Sequence, residues 1–226
     1  MYERMIPLSA TMKRVSRPSR APSSAKKRQT AKNAHAPQRG QSGQIRIIGG
    51  QWRGRKLPVL DAQGLRPTTD RNKETLFNWL MQRVNGARCL DLFAGSGGLG
   101  LEALSRYATH CDFIELDKQA SAQLKANLAT LKVEPAVTAR VHNGDALNIV
   151  KSLAQTPYDI VFVDPPFNQN LVEPALNALV NNVQVGSVIY LEHESSLSTP
   201  PLPDNWQITK EKRTNALVYM LIEVVS

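Results

Sequence analysis

The chain has 226 residues, 42% of them hydrophobic, which is enough for one domain with a substantial buried core. Its 28 Lys and Arg outnumber 19 Asp and Glu, and the formal net charge of +9 favours polyanionic partners. Only Cys89 and Cys111 carry thiols, which excludes a disulfide framework and reads as two reduced core residues; no apolar stretch approaches the ~20 residues of a membrane span or forms a leader core, so a soluble, cytoplasmic protein is expected.

The charge is unevenly placed. Residues 1–44 contain ten Lys and Arg against Glu3 alone, residues 45–90 nine against three, and residues 91–226 nine against fifteen. The first segment is rich in Ser, Pro and Ala and has almost no apolar periodicity, so it reads as a disordered basic arm. Attraction to polyphosphate and an organelle transit peptide both fit that composition. Residues 45–226 form the folded domain on this reading. A hairpin is expected over about 45–60, turning at Gly49-Gly50-Gln51-Trp52-Arg53-Gly54, and a helix over about 70–82, capped by Asp70, with Leu76, Phe77, Leu80 and Met81 as its apolar stripe.

Strand patterns at about 88–93, 111–115, 137–142, 158–163 and 187–192 then alternate with helical ones at about 98–107, 118–131, 145–154 and 170–181. That alternation predicts a mostly parallel sheet covered on both faces. Trp206–Lys212 and Leu217–Val225 read instead as an antiparallel hairpin around Arg213-Thr214-Asn215.

Four motifs close these strands. Asp91-Leu92-Phe93-Ala94-Gly95-Ser96-Gly97-Gly98-Leu99-Gly100 reads as strand, glycine loop and helix, a geometry that brings backbone N–H groups to a ligand. Its G-x-G-x-x-G pattern alone fits a dinucleotide as well as S-adenosyl-L-methionine. Asp91 separates the two, because a carboxylate there would repel a pyrophosphate and attract an ammonium and a sulfonium. Glu115, twenty residues past Gly95, can accept from ribose hydroxyls of either cofactor. Asp145, in Asn143-Gly144-Asp145-Ala146, can accept from an adenine amine or simply make a turn.

Asp164-Pro165-Pro166-Phe167 follows the apolar run Ile160–Val163. An exocyclic base amine is a poor nucleophile until acceptors draw on its N–H groups. The Asp164 carboxylate and the Pro165 carbonyl offer two, held still by the Pro-Pro step, and Phe167 offers a stacking face. Alternatively, the prolines end a strand and Phe167 fills a gap. His35, His110, His142 and His193 show no ligand spacing, and no metal is expected.

In that order, DLFAGSGGLG, FIELD, NGDA and DPPF resemble the motifs of class I S-adenosyl-L-methionine-dependent methyltransferases acting on amines. Arg46–Leu57 (RIIGGQWRGRKL), Arg66-Pro67-Thr68-Thr69-Asp70-Arg71 and Glu74-Thr75-Leu76-Phe77-Asn78 narrow the resemblance to the bacterial 16S rRNA guanine-N2 methyltransferases of the RsmD type, over about residues 45–224. The resemblance implies an α/β, Rossmann-like fold with a seven-stranded, mostly parallel sheet, an antiparallel final strand and an N-terminal β-hairpin. It also implies a monomeric enzyme acting on N2 of a guanine in ribosomal RNA, within the small subunit or an assembly intermediate; an adenine-N6 methylase of DNA and a noncatalytic RNA-binding assembly factor are the alternatives. Asp91, Phe93, Ala94, Gly95, Ser96, Gly97, Glu115, Leu116, Asp145, Ala146 and Asp164 would hold the cofactor, and Asp164, Pro165, Pro166 and Phe167 the target base. Arg46, Trp52, Arg53, Arg55, Lys56, Arg66 and Arg71 are the expected RNA contacts, since an aromatic among cations joins stacking to phosphate binding. Trp52 packed back on the sheet, and Arg66 and Arg71 as surface residues, are the alternatives.

Overall fold

A computed structural model describes residues 43–60, 70–135, 137–153 and 156–226. Seven strands form one sheet: β3 (Arg88–Asp91), β4 (His110–Glu115), β5 (Ala139–Asn143), β6 (Ile160–Val163), β7 (Val188–Glu194), β8 (Trp206–Arg213) and β9 (Leu217–Val224), in the order β5-β4-β3-β6-β7-β9-β8. The first five run parallel and β9 lies antiparallel between β7 and β8. This is the expected sheet, with its elements within a few residues of the boundaries read from the pattern.

Local chemistry explains the elements. β6, IVFV, is buried at every position, as a central parallel strand must be when helices cover both faces. Helix α2 (Gly98–Ser105) leaves the glycine loop after Gly97, whose φ of +78° is open to glycine. Helices α3 (Lys118–Thr130) and α4 (Ala146–Ser152) are started by Asp117 and Asp145, whose side chains accept from Ala120 N at 2.7 Å and Asn148 N at 2.8 Å. Helix α5 (Val172–Leu179) tolerates Pro174 in its first turn, where that N–H has no intrahelical partner.

Two buried clusters flank the sheet. One joins Phe77, Phe113, Phe162, Tyr190 and Tyr219, while Leu90, Val161, Ile189, Met220 and the α5 residues Ala175, Leu176 and Leu179 form the other. Cys89 and Cys111 are adjacent in register, buried and unlinked.

A separate hairpin, β1 (Gly43–Arg46) and β2 (Lys56–Val59), packs Ile45, Ile47, Leu57 and Val59 into the first cluster. β1 begins at Gly43, just before the boundary set between arm and domain. Helix α1 (Asp70–Trp79) lies on the same face, its Phe77 ring 6.0 Å from Phe162 and Trp79 5.7 Å from Tyr219. Met81, assigned to the apolar stripe of α1, falls beyond the helix and is 68% exposed.

The hairpin is held by α2. Glu102, with no solvent exposure, accepts from Ile48 N at 2.8 Å and from Arg106 Nε at 2.7 Å. Ser105 Oγ accepts from Trp52 N at 3.0 Å and donates to Gly49 O at 2.6 Å. Gly50 is obligatory there: its φ is +74°, and a Cβ would lie 1.8 Å from Ser105 O.

Candidate active site at the carboxyl end of the sheet

Strand order reverses between β3 and β6, the neighbours from which the sheet grows outward in opposite directions. Ligands of open α/β sheets bind at such a switch point, beyond the carboxyl ends of the strands. Asp91 ends β3 and Asp164 follows β6, while Glu115 ends β4 and Asp145 follows β5. Four strand ends therefore carry the four expected carboxylates to one edge of the sheet.

Asp91 is 3% exposed and accepts from Gly100 N at 2.9 Å, so it ties the strand to the first turn of α2. Burial pushes its carboxyl up to about 7; the Gly100 N–H opposes that and the nearby Glu115 charge adds to it. The loop between them is tight. Ala94 N donates to Ile114 O and Gly97 N to Ala94 O, Gly95 has φ +51°, and a Cβ on Gly97 would come within 2.4 Å of Leu124 Cδ1. Ala94 is buried, and Phe93 and Ser96 are half-buried.

Glu115 braces two loops, accepting from Gly95 N at 2.7 Å through Oε2 and from Asp117 N at 2.6 Å through Oε1. The sequence assigned it only to ribose hydroxyls. Each oxygen has a second lone pair, so the brace and a diol contact are compatible. Leu116 beside it is 71% exposed, an apolar face left open at the strand end. Asp145 is exposed and caps α4 through Oδ1, which makes it a structural residue with acceptor capacity to spare, and Ala146 is buried behind it. Val59 and Leu60, at the end of β2, line a small cleft with Gly95 and Ser96, so the hairpin's open end adjoins the glycine loop.

At β6, Asp164 and Phe167 are half-buried, Pro165 is buried and Pro166 exposed. Asn168 and Asn170 have φ of +60° and +53°, and Asn168 N donates to Glu194 Oε1 at 2.6 Å. Behind Asp164, on β7, the buried Tyr190 hydroxyl donates to Glu192 Oε2 at 2.6 Å. Burial, followed by the charges of Glu192 and Asp164, pushes the Tyr190 hydroxyl well up, so it stays a donor. Glu192 and Glu194 escaped the sequence reading; two carboxylates closing the apolar run Val188–Leu191 were the available signal.

The expected RNA contacts divide. Arg46, Arg53, Arg55, Lys56 and Arg71 are exposed, and Arg66 lies outside the described residues. Trp52 is half-buried against the first cluster, the packed alternative the sequence left open. Because α2 descends from the glycine loop and the Gly49–Arg53 turn binds its last residues, that turn sits about 10 Å along the helix axis from the loop, toward the amino ends of the strands. A cleft of about 320 Å³ at those amino ends is lined by Arg83, Asn85, Gly86, Asp159 and Gly186, away from every motif above.

A family model described as conserved hypothetical protein 95 matches residues 45–223. The ribosomal RNA small subunit methyltransferase D of Escherichia coli K12 is 52% identical over 189 residues, covering 83% of this chain and 93% of the relative. The chain belongs to this methyltransferase family. The Haemophilus influenzae relative of the same name is 50% identical over 80% of this chain and 94% of its own length. Among solved structures, the Escherichia coli protein yhhF aligns with a TM-score of 0.73 at 51% identity, over 81% of this chain and 99% of that one. A Thermus thermophilus hypothetical protein aligns with a TM-score of 0.65 at 28% identity, over 80% and 99%. The expected class I methyltransferase fold is the observed one.

Proposed function

We propose that this chain transfers the methyl group of S-adenosyl-L-methionine to N2 of a guanine in 16S ribosomal RNA. The observation that carries the reading is the juxtaposition, on adjacent strands at the switch point, of Asp91 under the glycine loop and Asp164-Pro165-Pro166-Phe167. The family and the names of its members support ribosomal RNA as the substrate.

The residues present fit the cofactor. Buried Asp91 offers a carboxyl that a bound cation would ionise, Gly95 and Ser96 of the loop line a cleft beside the strand ends, and Glu115 and Leu116 supply an acceptor and an apolar face. When bound, S-adenosyl-L-methionine supplies an electrophilic methyl on a sulfonium. The rest is done by the chain. Asp164 and the Pro165 carbonyl accept from the N2 amine as it pyramidalises and gains positive charge, so they hold the transition state more strongly than the ground state; the surplus proton of the methylated amine then passes to solvent as the demethylated thioether is released. Phe167 stacks on a guanine withdrawn from its surroundings. Glu194 fixes the backbone just past Phe167.

In this scheme residues 45–226 carry the chemistry and the ten cations of residues 1–44 steer encounter with RNA. The protein works as a monomer in the cytoplasm. The test supplies labelled methyl donor with DNA, free rRNA and small-subunit particles, and identifies the product nucleoside. N2-methylguanosine in small-subunit rRNA is expected; N6-methyladenine in DNA, or no transfer to RNA in either form, would overturn the reading.

A further inference from the structure

The mouth of the proposed site is acidic. Glu115, Asp145, Asp164 and Glu194 lie at the carboxyl end of the sheet around the buried Asp91, where an RNA backbone would be repelled unless cations offset them. The hairpin cations Arg53 and Arg55 belong to the turn bound at the opposite end of α2.

Another hairpin places cations at the mouth itself. β8 is antiparallel to β9 and β9 to β7, so β8 runs in the direction of β7 and its last residues reach the same end. Those residues are Lys210, Glu211, Lys212 and Arg213, all exposed. From residue 91 onward the chain has nine Lys and Arg, and three of them stand in these four positions.

Register fixes their faces. Lys210 and Lys212 oppose Leu221 and Tyr219, which face the cluster that holds Tyr190 and Phe162, the residue two before Asp164, whereas Arg213 opposes Val218 of the second cluster and stands at the strand's end on the other face. Lys212 Nζ lies 5.8 Å from the centre of the Tyr219 ring, which orients that cation on this face. The hairpin is also tied to the Asp164 loop. Arg213 Nη1 donates to Ser195 O at 3.3 Å, Ser195 Oγ donates to Asn215 O at 2.8 Å, and the preceding Glu194 accepts from Asn168 N. Edge strands carry charge, Lys above all, to prevent pairing with other chains, so it is the placement of these cations beside the Asp164 loop, not their presence on an edge, that points to a ligand.

We propose that the β8–β9 hairpin is a phosphate-binding rim of the active site, with Lys210, Lys212 and Arg213 engaging the RNA backbone beside the target base. This rests on the function proposed above. The cations offset the acidic mouth, and the link through Ser195 and Glu194 fixes the rim relative to Asp164.

The test compares full-length wild type with two triple variants, Lys210→Gln/Lys212→Gln/Arg213→Gln and Lys210→Glu/Lys212→Glu/Arg213→Glu; the second keeps a charged edge. Binding to free small-subunit rRNA and to small-subunit particles is measured across a salt series, with calorimetry of S-adenosylhomocysteine and thermal midpoints alongside. In the glutamine variant the slope of log K against log salt should shrink by about 0.7 per lost phosphate contact, roughly two in all, and affinity should fall at least about tenfold. The glutamate variant should bind more weakly still, while cofactor affinity stays at wild type and the thermal midpoint falls by only a few degrees, the loss of the exposed Arg213–Ser195 and Lys212–Tyr219 contacts. A folded glutamine variant with the wild-type slope, or a glutamate variant that binds as tightly as wild type, overturns the rim and leaves the methyltransferase reading intact. A wild type that neither binds nor methylates rRNA overturns that reading, and the rim with it.

Discussion

Asp91→Asn should make the ligand-free protein more stable at neutral pH and a poorer binder of S-adenosyl-L-methionine. Burial raises the Asp91 carboxyl from 3.8 to about 7. Between those values the folded chain holds a proton that the unfolded chain has released, so stability falls as pH rises through the window and is level above it. At about 1.36 kcal/mol per pH unit the deficit has an upper bound near 4 kcal/mol, and Gly100 N keeps an acceptor if the amide oxygen takes its place. Removing the charge therefore stabilises most at pH 8 and little at pH 4. For a chain of this length each kcal/mol moves the midpoint by roughly 2–4 °C. Cofactor binding has the opposite sign, because a cationic ligand favours the ionised carboxylate: wild-type affinity should weaken as pH falls below 7, and the variant should bind weakly at every pH. Urea unfolding without ligand at pH 4–9, with calorimetry of the methyl donor over pH 6–8, reads both effects. A variant less stable than wild type at pH 8, or one with undiminished affinity, would refute the electrostatic role given to Asp91.

Asp164→Ala should lower the single-turnover rate by roughly 10²–10³ while cofactor and RNA affinities hold, the scale of losing one preorganised electrostatic partner; a folded, saturated variant at the wild-type rate would return the motif to a strand-ending turn. Glu194→Ala frees Asn168 N and should slow single turnover by about tenfold, since hydrogen bonds to charged groups are worth about 1.5–3 kcal/mol, whereas Glu194→Gln retains an acceptor and should recover most of the rate. Equal rates for wild type and the alanine variant would show that the loop holds itself. Glu102→Ala strands Ile48 N and unpairs Arg106, and should cost on the order of 3 kcal/mol in urea unfolding; an unshifted midpoint would mean the hairpin is anchored by its apolar residues alone.

The parts of this fold that the sequence made readable are those decided within a few residues. The glycine loop after Asp91 announced the turn from strand to helix, and the apolar IVFV announced a buried strand, whereas the capping by Asp117 and Asp145 and the approach of Gly100 to Phe113 emerged only in the fold. The four carboxylates were placed by the same logic, since parallel strands deliver their carboxyl ends to one edge. What stayed hidden was decided by partners distant in the chain. Trp52 alternates with arginines as a stacking residue would, yet its backbone is held by Ser105, 53 positions away, and its ring turns to the core. Glu115 has the spacing of a ribose ligand, and only the folded loop reveals that both its oxygens also brace backbone N–H groups. The β8–β9 hairpin was read correctly as a hairpin, but its charge acquired a direction only once β9 was seated between β7 and β8. Had β8 paired with β7 directly, in the antiparallel sense usual for a short connection, Lys210, Lys212 and Arg213 would stand at the amino ends of the strands, far from Asp164. The insertion of β9 reverses them, and an acidic site gains a cationic rim.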